Sequence, residues 1–316
     1  MASRSDGNEI RLTRVYDAPV QFVWDAWTVP EQAAKWWGPR GFTITTHSKD
    51  LRPGGTWRYT MHGPDGVDYP NIATYLVVEP LRKLVYDHGA TDDTPPLFRV
   101  TVTFTEREGK THMVMASALP TPEAAAQIEK LIKQKGGTTT WDRLAEYLED
   151  TSTGRPTFVI NRTFEAPRAR VFEAWTRPEL LAQWLPPAGC SMRFLRAELA
   201  VGKSTLFAIT GEHGTMHVRA EYLAIEPLER VAYAQQFVDE HEQPAAAPGA
   251  EVWPTVLLNT VLFTEEGPMR TRVTLTTEPH GPATAAEVAA FVAERSGMTA
   301  GWTGSLDVLE ALLDAG

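Results

Sequence analysis

A domain-length stretch of this chain is written twice. RVYDAPVQFVWDAWTVPEQAAKWWGPRG (residues 14–41) lies without gaps on RTFEAPRARVFEAWTRPELLAQWLPPAG (residues 162–189). The match continues through Leu51–Gly54 with Leu199–Gly202, Glu79–Leu81 with Glu226–Leu228 and Thr101–Glu106 with Thr260–Glu265. Near the ends, WDRLAEYL (141–148) is set against LDVLEALL (306–313). A repeat of this length is a whole domain, not a solenoid unit, and each copy is long enough to bury its own core. The chain is therefore expected to fold as residues 8–150 and residues 157–316. The linker, Thr151-Ser152-Thr153-Gly154-Arg155-Pro156, is a short polar run of turn formers. It is short enough that domain 1 is expected to pack on domain 2.

Each copy reads as a strand, two short helices, five or six antiparallel strands and a long helix. Residues 10–16 alternate as a strand. Pro19 suits the first turn of a helix whose Val20, Val23, Trp24 and Trp27 share one face. Thr28 and Glu31, repeated as Thr176 and Glu179, have the spacing of a capping box, so a second helix is predicted from Pro30 to Gly38-Pro39. Strands are predicted at 56–62, 72–78, 83–88, 98–105 and 111–117. A final helix is predicted over 122–149, with Trp141, Leu144 and Leu148 on one stripe and an irregularity at Gly136-Gly137. Its counterpart starts near Thr284 and carries Leu306, Leu309 and Leu313. The economical packing is α+β: a curved antiparallel sheet wrapped on the long helix, with the two short helices at one end.

Several function classes find no support. The net charge is −10 and no Lys/Arg cluster is present, which argues against a nucleic-acid partner. No stretch approaches the ~18 apolar residues of a membrane span. The N-terminal residues lack an apolar signal core, so the expected location is cytoplasmic, and the Asn161-Arg162-Thr163 sequon is read as chance. The single cysteine, Cys190, rules out an intrachain disulfide and stands where the first copy has Phe42, as a small apolar residue. Phosphate-loop, dinucleotide and nucleophile-elbow motifs are missing, and no cofactor is implied. His213 and His217 fall on one side of a strand with no third ligand, so no metal site is expected.

The residue pattern resembles the helix-grip fold of the START-like, or SRPBCC, superfamily. The nearest branch is the one related to the activator of the ninety-kilodalton heat-shock protein ATPase. The resemblance is carried by Ala18-Pro19, Val23-Trp24, Ala26-Trp27, Pro30-Glu31, Trp36-Trp37-Gly38-Pro39, Asp50–Gly55 and Glu79-Pro80. In the second copy it is carried by Gly297-Met298, Gly301-Trp302 and Ser305-Leu306-Asp307. It covers nearly the whole chain, twice. It implies a cavity between sheet and long helix that accepts apolar or aromatic molecules.

The two copies differ where such a cavity would be lined. Trp36 recurs as Trp184 and reads as structural; Trp37 becomes Leu185. Strand alternation sends Trp57, Tyr59, Met61, Tyr75, Tyr86, His88, Met113 and Met115 inward, and with Trp37 these form the candidate ligand site of the first copy. Their counterparts include Thr205, Phe207, Ile209, Gln235, Val273 and Leu275, so the first copy is richer in aromatics and in adaptable methionines. His88 and Tyr59 are the candidate proton-moving groups. Asp87 must face away from His88 and cannot pair with it.

Three functions remain open at this point. The first is binding of a small hydrophobic or aromatic ligand, as in metabolite sequestration or self-resistance. The second is a cyclase- or aromatase-type reaction without metal or nucleotide. The third is a chaperone-regulating interaction module. The longer connection of the second copy, Asp239–Thr255, carries Trp253. That indole is expected to dock over the second cavity mouth or against the first domain, because leaving it in water costs a couple of kcal/mol.

Overall fold

A computed structural model describes residues 7–91, 93–135, 139–187, 189–212 and 214–315, with the side chains of 129–135 left aside. The chain divides after Gly154 into two compact units. The first contains β1 (Glu9–Tyr16), α1 (Val20–Thr28), α2 (Pro30–Trp36), β2 (Thr43–Lys49), β3 (Thr56–His62), β4 (Asp68–Glu79), β5 (Lys83–Gly89), β6 (Phe98–Arg107), β7 (Lys110–Ala118), α3 (Pro122–Lys135) and α4 (Thr139–Thr153). The second contains β8 (Phe158–Phe164), α5 (Arg168–Thr176), α6 (Pro178–Trp184), β9 (Ser191–Ala197), β10 (Ser204–Gly211), β11 (Gly214–Glu226), β12 (Arg230–Val238), β13 (Leu257–Gly267), β14 (Arg270–Pro279), α7 (Ala285–Ala293) and α8 (Arg295–Asp314).

Each unit is one seven-stranded antiparallel sheet. The orders, β1-β7-β6-β5-β4-β3-β2 and β8-β14-β13-β12-β11-β10-β9, are the same path taken twice. The repeated sequence keeps the same ties. Trp36 and Trp184 are fully buried, and each indole N–H donates to a carbonyl of the preceding helix, Ala26 at 3.0 Å and Ala174 at 2.9 Å. Thr111 and Thr271 likewise donate to Ala18 and Ala166, holding the first sheet strand's exit against β7 and β14.

Some sequence expectations change in detail. The strand not located in advance is β2, the sheet edge, whose Thr-Ile-Thr-Thr-His-Ser-Lys buries only Ile44 fully and so lacks an apolar alternation. The long first-unit helix is described in two stretches, α3 and α4, and the irregularity expected at Gly136-Gly137 lies outside the described residues. The capping box at Thr28 does not form. α1 runs through Thr28, whose hydroxyl donates back to the Trp24 carbonyl at 2.7 Å; α2 starts after Val29 with Pro30 at N1, where no N–H is needed. Thr176 repeats this with Phe172 at 2.8 Å. A complete capping box is found instead at Thr284 and Glu287, opening α7.

The register of the last helices also differs from the sequence alignment. Trp141 stacks on Trp27 with centroids 5.4 Å apart and planes 15° from parallel; Trp302 stacks on Trp175 at 5.9 Å and 18°. Trp27 and Trp175 are repeat partners, so Trp302, not Leu306, is the counterpart of Trp141. One helical turn separates the two alignments, and both keep the leucines on the buried face.

Candidate functional site

In the first unit the predicted inward residues are gathered into one core cluster. Trp57, Tyr59, Tyr75, Tyr86 and Met113 are buried, with Trp37, Met61 and Met115 packed against them. Trp37 ends α2 and its indole donates to the Tyr59 hydroxyl at 3.1 Å. The Trp57 ring lies 4.3 Å from Tyr59 and 4.8 Å from Trp37, and its N–H donates to Thr46. Tyr75 and Tyr86 are cross-strand partners with centroids 6.1 Å apart. His88 stacks on Phe98 at 4.8 Å, and burial lowers its pKa to about 4, leaving the ring neutral. Asp87 turns the other way and pairs with Arg99.

One functional candidate of this unit was not visible in the sequence. Lys49 lies on the inner side of edge strand β2 with its ammonium 3.8 Å over the Trp57 ring, donating to the Trp27 carbonyl at the end of α1. Burial lowers its pKa to about 7, partly opposed by the charge of Glu31. The lysine thereby caps a helix C-terminus from inside the aromatic cluster.

The second unit has the same frame and smaller residues within it. Leu185 replaces Trp37 and Thr205 replaces Trp57, removing two indoles. A cavity of about 330 Å³ lies there, at the lower end of the ~300–1,000 Å³ range of small-molecule sites. Its sheet wall is Phe207, Ile209, Val218, Tyr222, Tyr233 and Gln235, and its helical wall is Trp175, Leu185, Met298, Gly301, Trp302 and Ser305. Six of these, Leu185, Phe207, Ile209, Tyr222, Tyr233 and Gln235, are repeat counterparts of predicted first-copy residues. The signal that points to this copy is the loss of side-chain volume at Leu185 and Thr205, together with Gly301 and Gly304 in an otherwise amphipathic helix.

The mouth follows from the helix register. In the first unit, Arg143 of α4 donates to the carbonyls of Gly38, Pro39 and Phe42, clamping the loop after α2, and Arg40 pairs with Glu146. The counterpart of Arg143 is Gly304. Here α8 meets the loop through Ser305, which donates to the Leu185 carbonyl at 2.8 Å. A Cβ placed on exposed Gly301 would meet nothing within 4 Å.

Among the described residues the cavity wall carries no Asp, Glu, Lys, Arg or His. Its titratable groups are tyrosines: burial raises Tyr222 to about 12 and Tyr233 still further, so both are neutral hydroxyls. Among the described residues no set of three His, Cys, Asp or Glu is placed to hold a metal ion, and His213 lies outside them. No helix of the described residues is long and apolar enough to cross a membrane.

The sequence profile of the Activator of Hsp90 ATPase homolog 1-like protein family matches residues 17–149 and again 165–314. The chain belongs to that family, as a tandem of two helix-grip domains. Among solved structures, protein Ms6760 of Mycobacterium smegmatis is similar to one unit, with 29% identity over 46% of this chain and 94% of that one, at a TM-score of 0.42. Two structures are similar along almost all of it. DynU16, from the dynemicin biosynthetic locus, is 21% identical over 97% of this chain and 99% of its own, at a TM-score of 0.34. The di-domain ARO/CYC protein BexL of the BE-7585A biosynthetic pathway is 16% identical over 96% and 98%, at 0.39. The chain has no match among curated proteins.

Proposed function

We propose that the protein binds a small, uncharged, apolar or aromatic molecule, and that the second domain is where it does so. The carrying observation is the cavity between sheet and α8, whose described wall residues include no charged side chain. Aromatic rings on both walls suit stacking on a flat ligand, and Met216 and Met298 adapt to its outline. A carboxylate or ammonium would enter at a cost of several kcal/mol with no partner to offset it.

The same wall favours holding over transforming. A cyclase-type reaction draws on an acid or base poised near neutrality. The cavity offers tyrosines held far from it. The namesake activity of the family, on the Hsp90 ATPase, would use an outer surface; the cavity is what supports the small-molecule reading.

Nile red titration and native mass spectrometry of the full chain test this. A saturable fluorescence rise that neutral aromatics compete away, and dodecanoate does not, is expected. No retained adduct and no saturable probe binding would dispose of the reading.

A further inference from the structure

The core of the second unit contains a polar chain that the first lacks. Asn259 on β13 and Thr277 on β14 are both 2% exposed. They face each other across the sheet, as do Asn259 and Tyr233 of the cavity wall. By the same pairing, the first unit has Val100 and Ser117 at these places. Replacing a buried valine by asparagine costs free energy unless its hydrogen bonds are made.

They are made in one direction. The Thr277 hydroxyl donates to the Asn259 carboxamide oxygen at 2.7 Å. That turns the Asn259 amide nitrogen toward the Gln235 oxygen, 3.5 Å away. In this structure Asn259 thus accepts at one end and donates at the other. Gln235 then has its oxygen occupied and its NH2 directed elsewhere. Among the described residues no hydrogen bond engages that nitrogen, and Gln235 lines the cavity.

We propose that Gln235 is the polar anchor of the cavity, its carboxamide N–H groups donating to a carbonyl oxygen on an otherwise apolar aromatic ligand, with Asn259 and Thr277 as positioning residues that fix the amide's direction. The ligand class is thus the neutral aromatic ketone or quinone, rather than the bare hydrocarbon or the acid. This rests on the second cavity being the binding site.

A shape-matched pair tests it: 9-fluorenone against fluorene, followed by quenching of cavity-wall tryptophan fluorescence in the full chain. Wild-type protein is expected to bind fluorenone about 3- to 10-fold tighter than fluorene, the worth of one neutral hydrogen bond. Its carbonyl stretch, read by infrared difference spectroscopy, should move to lower frequency on binding. Gln235→Leu should erase both the preference and the shift while still binding fluorene. Asn259→Val, which installs the first-unit residue, should keep fluorene affinity and weaken the preference. Equal affinities with an unshifted band would overturn the anchor and leave the apolar site standing. Binding of neither compound would overturn the anchor together with the site. The wild-type comparison and its carbonyl band decide the matter even where a variant fails to fold.

Discussion

Trp302 stacks on Trp175 across the end of the second sheet, 5.9 Å apart and 18° from parallel. The contact joins α8 to α5 and forms one corner of the cavity. It repeats the Trp141–Trp27 stack of the first unit, where a further indole, Trp37, sits 5.3 Å from Trp27. The same joint is therefore backed by aromatic packing in one unit and borders empty space in the other.

Removing that joint should destabilise the second unit. Trp302→Ala is expected to cost roughly 2–3 kcal/mol, below the ~3–5 of a fully buried tryptophan because one side of the ring faces the cavity. Trp302→Phe should retain most of the stability. Urea denaturation followed by circular dichroism checks this, and a Trp302→Ala protein as stable as wild type would show the stack to be incidental.

Trp57 is one of the two indoles that the second unit lacks, so Trp57→Thr is expected to open space in the first. Trp57 is 3% exposed and touches Trp37, Tyr59 and Lys49. A loss of about 3–5 kcal/mol is expected, part of it the cavity left behind. Nile red should gain a second binding site. A stoichiometry unchanged by the substitution would mean that the neighbouring side chains collapse into the gap.

Much of this was legible in the repeat. Aligned copies gave the element order and the inward face of each strand, because period-two alternation survives in Trp57, Tyr59 and Met61. What the pattern hid has physical causes. β2 is an edge strand whose outer positions stay polar, so Thr43–Lys49 shows no alternation. Thr28 has the residue type of a helix cap, but two helices only Val29 apart leave it inside the first. The Trp302 register is masked because a shift of one turn sets Leu148 against Leu309 and costs only the Leu144 match, which becomes Ser305. Lys49 and Asn259 gain their meaning from neighbours far along the chain, on α1 and β12, which spacing cannot reveal.

Gly301 is the expected way in. Its Cβ position is open, and the residue lines the cavity from an exposed stretch of α8. Gly301→Leu is therefore expected to leave the fold intact or stabilise it by up to about 1 kcal/mol through helix propensity. Probe affinity should fall by tenfold or more. Retained affinity with a raised melting temperature would place the entrance elsewhere on the cavity wall.

Two buried bases of the first unit give its stability a pH dependence of one sign. His88 titrates near 4 in the fold against an ordinary 6.5, so the unfolded chain binds more protons between those values. Stability is full above pH 6.5 and declines toward pH 4, by roughly 2 kcal/mol once screening is allowed for. Lys49, near 7 in the fold against 10.5, acts alike in a higher window: stability rises from pH 7 to 10.5. His88→Gln should flatten the lower slope and Lys49→Met the upper one, in denaturation curves collected across pH. Slopes identical to wild type would show that neither group is desolvated as the geometry implies.

The connection after β12 is anchored at both ends, and both anchorages bear on the last prediction. Asp239 accepts from the backbone N–H groups of His241 and Gln243, and Arg196 of β9 grips both oxygens of Glu242 at 2.8 and 2.9 Å. At the far end Trp253 docks within its own unit, its ring 5.8 Å from that of fully buried Phe291 on α7. It is not among the residues lining the cavity, and the short α7, opened by its capping box, supplies its apolar face. The Trp253 indole nitrogen has no hydrogen-bond partner among the described residues, so the contact is apolar packing alone. Trp253→Phe should then be tolerated within about 1 kcal/mol, and Trp253→Ala should cost about 2 kcal/mol by exposing Phe291. Excising residues 246–250, which lie between the Ala245 N–H bond to Phe237 and Trp253, should leave both stability and Nile red affinity unchanged. Hydrogen exchange of the α7 amides provides the local readout: faster in Trp253→Ala, unaltered in the deletion. Equal protection of α7 in wild type and Trp253→Ala would mean that the helix holds its place without the indole, and that the long connection has no part in closing the core.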